Sequence, residues 1–184
     1  MIKEGDFVEV EYQAYVEGKK VDEGKRVLIV GKGLLMKGLD EFLVGKDVGE
    51  YELELPPEKA FGERKKELVT IIPVSEFKKH GIEPKAGMVV NIDNFVATIK
   101  SVSGGRTIVD FNHPLAGKTI KLKLKVLRIL GEEEKVKFIA EDIAKKEAKV
   151  EGNKVIVDVD ENTKKYIEEA IKKIIGKEYV VTRG

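Results

Sequence analysis

The chain is 184 residues long and 42% hydrophobic, enough to bury a core and to divide into one to three small domains. Charged residues make up 36% yet cancel to a formal net charge of +1, so nothing in the balance favours nucleic acid or an anionic membrane as partner. Cysteine is absent, which excludes disulfides and thiolate metal sites. The N-terminus has no apolar signal core and no run nears the roughly 18 apolar residues of a membrane span, so a soluble, cytoplasmic protein is expected. Lys and Glu dominate the charges and Gln13 is the only glutamine, a composition that suggests a heat-adapted source.

The first half reads as strands. Over Val8–Ala14 the even positions share one face with Tyr12 among them, while Glu9, Glu11 and Gln13 take the other. Glu17-Gly18-Lys19 predicts a turn, followed by a short apolar strand at 27–30. Residues 38–44 suit one or two helical turns with Leu39, Phe42 and Leu43 on one side and Gly45 as a left-handed cap. Tyr51, Leu53 and Leu55 alternate with glutamates, a half-buried strand that Pro56-Pro57 ends.

Residues 69–117 change character. An extended piece over 69–72 ends at Pro73, and short runs at 88–92, 95–102 and 107–111 are separated by Asp93-Asn94 and Ser103-Gly104-Gly105. Close turn signals between β-rich runs predict a compact antiparallel unit. Ile120, Leu122, Leu124 and Val126 then alternate with lysines, giving a strand with one dry face that must return to the first-half sheet. Beyond Gly131 the period turns helical through Val136, Ile139, Ile143 and Ala144. A hairpin about Gly152-Asn153 follows, then a helix capped by Asp160 with Gly176 behind it, and a last strand near Tyr179.

Three separated motifs carry a resemblance. VLIVGKGLLMKGLDEFLVGKDVGE (Val27–Glu50) resembles the central segment of FKBP-type peptidyl-prolyl isomerases. LPPEKAFG (Leu55–Gly62) is similar to that family's aromatic-glycine loop, and FNHPLAGK (Phe111–Lys118) to the segment closing the insert-in-flap domain of SlyD-like members. The tail resembles the extra domain of long archaeal members in position and length. The resemblance implies an α+β fold, a curved antiparallel sheet wrapped on a short helix, with an inserted β-rich domain and a C-terminal α+β appendage. The domains expected are 1–72 plus 117–131 for the isomerase, 73–116 for the insert and 132–184 for the appendage.

Rotation about a peptide bond faces about 18–20 kcal/mol, yet breaks no bond, so neither nucleophile nor metal is required. A catalyst must bind the twisted amide better than the planar one. An apolar pocket does so because the planar form carries more charge on its carbonyl oxygen. By family position the wall is Tyr12, Val21, Asp22, Leu28, Leu35, Met36, Leu39, Phe61 and Leu122. Leu39 forms the floor, the Met36 N–H is a donor, and Asp22 and Tyr12 form a polar rim, Asp22 acting electrostatically rather than as a base. Pattern alone reads Leu28, Leu39 and Leu122 as core, Tyr12 as packing and Asp22 as a turn carboxylate. The chain departs from the family at Leu39 where tryptophan is usual, at Phe61 where tyrosine is, at Leu122 and at Arg26. Fewer flat faces imply weaker catalysis and poor drug affinity.

In the insert, Ile92, Phe95, Val96, Ile99, Ile108 and Phe111 are expected to form a sticky surface for unfolded clients, with a small core of its own as the alternative. His80 and His113 are the only histidines, so no metal or other cofactor is expected, and His113 is read as fixing its loop. The expected partners are unfolded chains with X-Pro bonds, with a homodimer through 132–184 as an added association. Against a folding catalyst with chaperone capacity stands a catalytically silent holdase or dimerising binding module.

Overall fold

A computed structural model describes residues 1–184. In chain order the elements are β1 (Phe7–Val16), β2 (Lys19–Ile29), α1 (Lys37–Leu43), β3 (Gly49–Leu55), β4 (Val69–Pro73), α2 (Val74–Lys79), β5 (Val89–Ile92), β6 (Phe95–Ser103), β7 (Arg106–Asp110), β8 (Ile120–Ile129), α3 (Glu132–Ala144), β9 (Lys149–Glu151), β10 (Lys154–Ile156), α4 (Glu161–Ile175) and β11 (Val180–Thr182). None of the helices is long and apolar enough to cross a membrane. The α+β class expected from the sequence is the one observed.

The first sheet has the order β2-β1-β8-β3 and is antiparallel throughout. Val16 meets Lys19 across a two-residue turn in which Glu17 and Gly18 both take positive φ, the twist that suits a tight hairpin. β2 starts eight residues earlier than its apolar end suggests, because Lys19–Arg26 lie at an exposed sheet edge and need no hydrophobic alternation. On β8, Ile120, Leu122, Leu124 and Val126 are buried and Lys121, Lys123 and Lys125 exposed, as the alternation requires. These lysines sit between polar neighbours on both sides, Lys125 between Glu11 and Glu50, and Lys123 between Gln13 and Glu52. The inner face packs on Leu39 and Leu43 of α1, giving a core that also holds Val8, Val10, Val30 and Leu55. Gly45 is left-handed as expected, but its N–H donates to the Ile2 carbonyl at 2.8 Å, closing the chain start onto the helix end.

The second sheet, β4-β7-β6-β5, is antiparallel and lies wholly between Val69 and Asp110. It thus takes in Val69–Ile72, which the sequence placed ahead of the insert. Its core is small, with Phe77, Ala97, Ile99 and Val109 buried. Phe77 comes from α2, which is too short for its periodicity to be legible. Ile99 belongs to this core and is fully buried, so the expectation that it forms part of a client-holding surface is overturned. The reason is strand parity: Ala97 and Ile99 point inward on β6, and Val96 outward.

The third sheet pairs β9 and β10 antiparallel and adds β11 parallel to β10, with α4 as the crossover. Asp160 Oδ1 accepts from the Thr163 N–H at 2.7 Å and Gly176 closes the helix with φ 82, both as the sequence predicts. The core around α3 and α4 also takes in Phe7 of β1 and, on its margin, Val27 and Ile29 of β2. Phe7 and Phe138 meet edge to face at 5.8 Å. The first and third sheets therefore share buried side chains.

Candidate active site

Tyr12 sits midway along β1 on the same face as Val8 and Val10, and its cross-strand partner on β2 is Gly24. A Cβ at position 24 would lie 3.3 Å from the Tyr12 hydroxyl, so the missing side chain lets the ring lie across the strand. There its hydroxyl donates to Asp22 Oδ2 at 3.0 Å, while the Arg26 guanidinium stands 5.4 Å from its ring centroid. The other Asp22 oxygen accepts from the Glu23 N–H at 2.9 Å. Burial and the bond to Asp22 push the Tyr12 phenol above its ordinary value, so it remains a donor at neutral pH.

The loop ahead of α1 is tied down by Asp40, which accepts from the N–H groups of Gly31 at 2.9 Å and Gly33 at 3.2 Å. Gly31 has φ 79 and its Cβ position lies 2.3 Å from Glu4 Cγ, so a side chain there would be strained and would have to displace Glu4. Met36 is extended at the helix N-cap, and its carbonyl accepts from Leu39 and Asp40. Its own N–H has no intrahelical partner, as is general for a helix start.

All nine side chains expected at the pocket wall line a single cavity of about 510 Å³. Leu39 and Leu122 are buried at its base, and Val21 and Phe61 are exposed at its rim. Of its 17 lining residues 14 are hydrophobic, which suits a ring that carries no donor. Two larger hollows, of about 690 and 630 Å³, lie on the charged outer face of the first sheet and are walled mainly by Glu and Lys. An apolar ring gains little there.

The reading of the sequence missed several wall residues. Val10, Ala14, Ile120 and Leu124 are the inward positions next to those it chose, and parity alone would have found them. His113 and Leu115 come from the segment that closes the insert and carry no such signal. The His113 ring stacks on Phe61 with centroids 4.3 Å apart and planes 5° apart, while its Nδ1 accepts from the Leu115 N–H at 3.0 Å. That the histidine fixes its own loop is thus met by a direct contact, and it also reaches the cavity.

The chain crosses between the first and second sheets twice, and the two crossings are stitched together. Asn112 accepts from the Lys65 N–H at 2.9 Å and donates to the Lys65 carbonyl at 3.1 Å, and Gly117 N–H donates to the Gly62 carbonyl at 2.8 Å. Asp110, 3% exposed, pairs with Arg64 at 2.7 Å and accepts from both the backbone and side chain of Asn112. Burial pushes the Asp110 carboxyl up, but these bonds outweigh it and hold the group below its ordinary 3.8.

Of the side chains expected to hold clients, Phe95, Val96 and Ile108 are exposed, while Ile92 and Phe111 lie half-buried against the insert's core. Val89 and Ile71 are also exposed, and Ile71 faces Ile108 across β4 and β7.

A sheet closed over a short helix, with an apolar cleft between them and a second sheet inserted at its mouth, defines the class. The family model for FKBP26, IF domain, matches residues 70–115. The short-type peptidyl-prolyl cis-trans isomerase of Methanocaldococcus jannaschii is 34% identical over 145 residues, 68% of this chain and 92% of that protein. The FKBP-type peptidyl-prolyl cis-trans isomerase SlyD of Helicobacter pylori is 38% identical over 114 residues, 58% of this chain and 60% of the relative. The FKBP-type 16 kDa isomerase of Escherichia coli is 33% identical over 115 residues, covering 76% of that protein. The chain belongs to the FKBP-type peptidyl-prolyl cis-trans isomerase family.

Proposed function

We propose that the protein is a peptidyl-prolyl cis-trans isomerase that assists folding of proline-containing chains in the cytoplasm. The observation that carries this is the convergence of Tyr12, Asp22, Met36, Leu39 and Phe61 on one apolar cleft. The cleft works by preference between two states of one amide. The planar form has the more charged carbonyl and loses more on leaving water, so apolar walls favour the twisted form. Leu39 and Leu122 supply the dry base, the Met36 N–H is a donor for a substrate carbonyl, and Asp22 holds Tyr12 in place. Each factor of ten in rate requires about 1.4 kcal/mol of this preference.

In the same proposal the inserted unit holds unfolded clients through exposed residues such as Val96, Phe95 and Ile108. The family match at 70–115 and the contribution of His113 and Leu115 to the cleft wall support it. A chain held there meets the cleft at raised local concentration, which speeds turnover without better chemistry. Exchange spectroscopy on a prolyl peptide and on a slow-refolding protein tests both halves. The expected result is catalysis of both, with the larger gain on the protein. No rate above background, with aggregation still suppressed, would leave only a holdase. A homodimer through 132–184 completes the proposal, supported by the exposed Tyr166 and Ile174 on α4. A monomer by sedimentation at high micromolar concentration would remove it.

A further inference from the structure

The side chains lining the cleft that are not hydrophobic are Asp22, Arg26 and His113, and they differ in how far they are satisfied. Asp22 has both oxygens engaged, by Tyr12 and by its neighbour's N–H. His113 accepts through Nδ1 and stacks on Phe61. Arg26 has no carboxylate within ion-pair distance, although the adjacent Lys25, on the other face of β2, pairs with Glu9 at 2.9 Å. Its guanidinium is held over the Tyr12 ring, beside the cavity, by a contact that leaves its donors free.

The backbones of Asp22 and Arg26 lie four residues apart on one strand, about 13 Å by strand rise, and their side chains reach the Tyr12 hydroxyl and the Tyr12 ring respectively. The rim thus has a negative end and a positive end with Tyr12 between them. We propose that Arg26 is a specificity-determining residue, through which the cleft prefers X-Pro segments carrying an acidic side chain next to the proline. This rests on the isomerase reading of the cleft. The acid pairs with the free guanidinium at one end and is kept from the other by Asp22. Lysine in place of the acid is disfavoured at the Arg26 end for the same reason.

Two pairs of short peptides test it, Glu against Gln before the proline and Glu against Gln after it. Exchange spectroscopy reads kcat/KM and chemical-shift titration reads affinity. On at least one side Glu exceeds Gln by about two- to fivefold, the range an exposed ion pair supports. The ratio falls to one in Arg26→Met, which keeps the apolar stem on Tyr12, and also in the unaltered protein at 1 M salt, where the screening length is about 3 Å. Equal use of Glu and Gln on both sides, or a Glu preference that survives in Arg26→Met or at 1 M salt, overturns the assignment. Tighter binding of the Glu peptides with no catalysis of any peptide would sink the isomerase reading and leave Arg26 standing. Catalysis of all four alike would do the reverse.

Discussion

Tyr12 owes its pose to an absent side chain, since Gly24 leaves the space its ring crosses to reach Asp22. Valine at position 24 is expected to displace the ring and cut catalysis while the sheet remains. The hydroxyl can be tested separately. Tyr12→Phe removes one hydrogen bond to a carboxylate, so kcat/KM should fall by about fivefold, equivalent to ~1 kcal/mol. An unchanged rate would show that only the ring matters. At the opposite rim His113 holds Phe61 by stacking, a contact worth about 0.5–1.5 kcal/mol. His113→Ala should raise KM by about two- to tenfold with kcat little changed, and His113→Phe, which keeps a ring to stack, should recover most of the loss. Equal KM values in all three proteins would remove this role.

Among the elements, the stitched pair of crossings has the clearest pH dependence. Asp110 is held below 3.8 in the folded state, so its stabilisation is present at neutral pH and is lost as the pH falls through that depressed value. Protection of the Lys65 and Asn112 amides from hydrogen exchange should therefore hold down to about pH 4 and fail below it. In Asp110→Asn protection should be lower at neutral pH, by about 1–3 kcal/mol, and nearly flat across the acid range. The same region marks the limit of what the sequence tells. Strands with one dry face, such as β8, and caps such as Asp160 and Gly176 were legible because their signals are local. The exposed first part of edge strand β2, six-residue α2 and the approach of His113 to Phe61 were not. An edge strand needs no apolar period, six residues hold no helical period, and a contact across 52 residues of chain depends on a fold no local pattern encodes. Most of the cleft was readable through family position, since periodicity finds the inward leucines but cannot tell a wall from a core.

For the whole molecule, Phe7 matters most, because it begins β1 yet is buried among α3, α4 and their sheet. Phe7→Ala should cost about 3–5 kcal/mol and destabilise the first and third sheets together in thermal unfolding. Separate transitions with only the third sheet affected would show that the two do not share a core. The charge rows on the outer face act over the same scale. Each cross-strand pair of a β8 lysine with a glutamate, Lys121 with Glu54, Lys123 with Glu52, and Lys125 with Glu11 and Glu50, adds about 0.2–1 kcal/mol and disfavours a slipped register, which would bury charge. One more property follows from where β1 finds its neighbours. β2 arrives at once across a two-residue turn, but β8 follows more than a hundred residues later, while every strand of the second sheet lies between Val69 and Asp110. As the polypeptide leaves the ribosome, the inserted sheet can close before the first sheet has its central strand. Pulse-labelled exchange during refolding should accordingly show β6 and β7 amides guarded ahead of those of β1 and β8, so that in each new molecule the inserted sheet stands before the cleft beside it is walled.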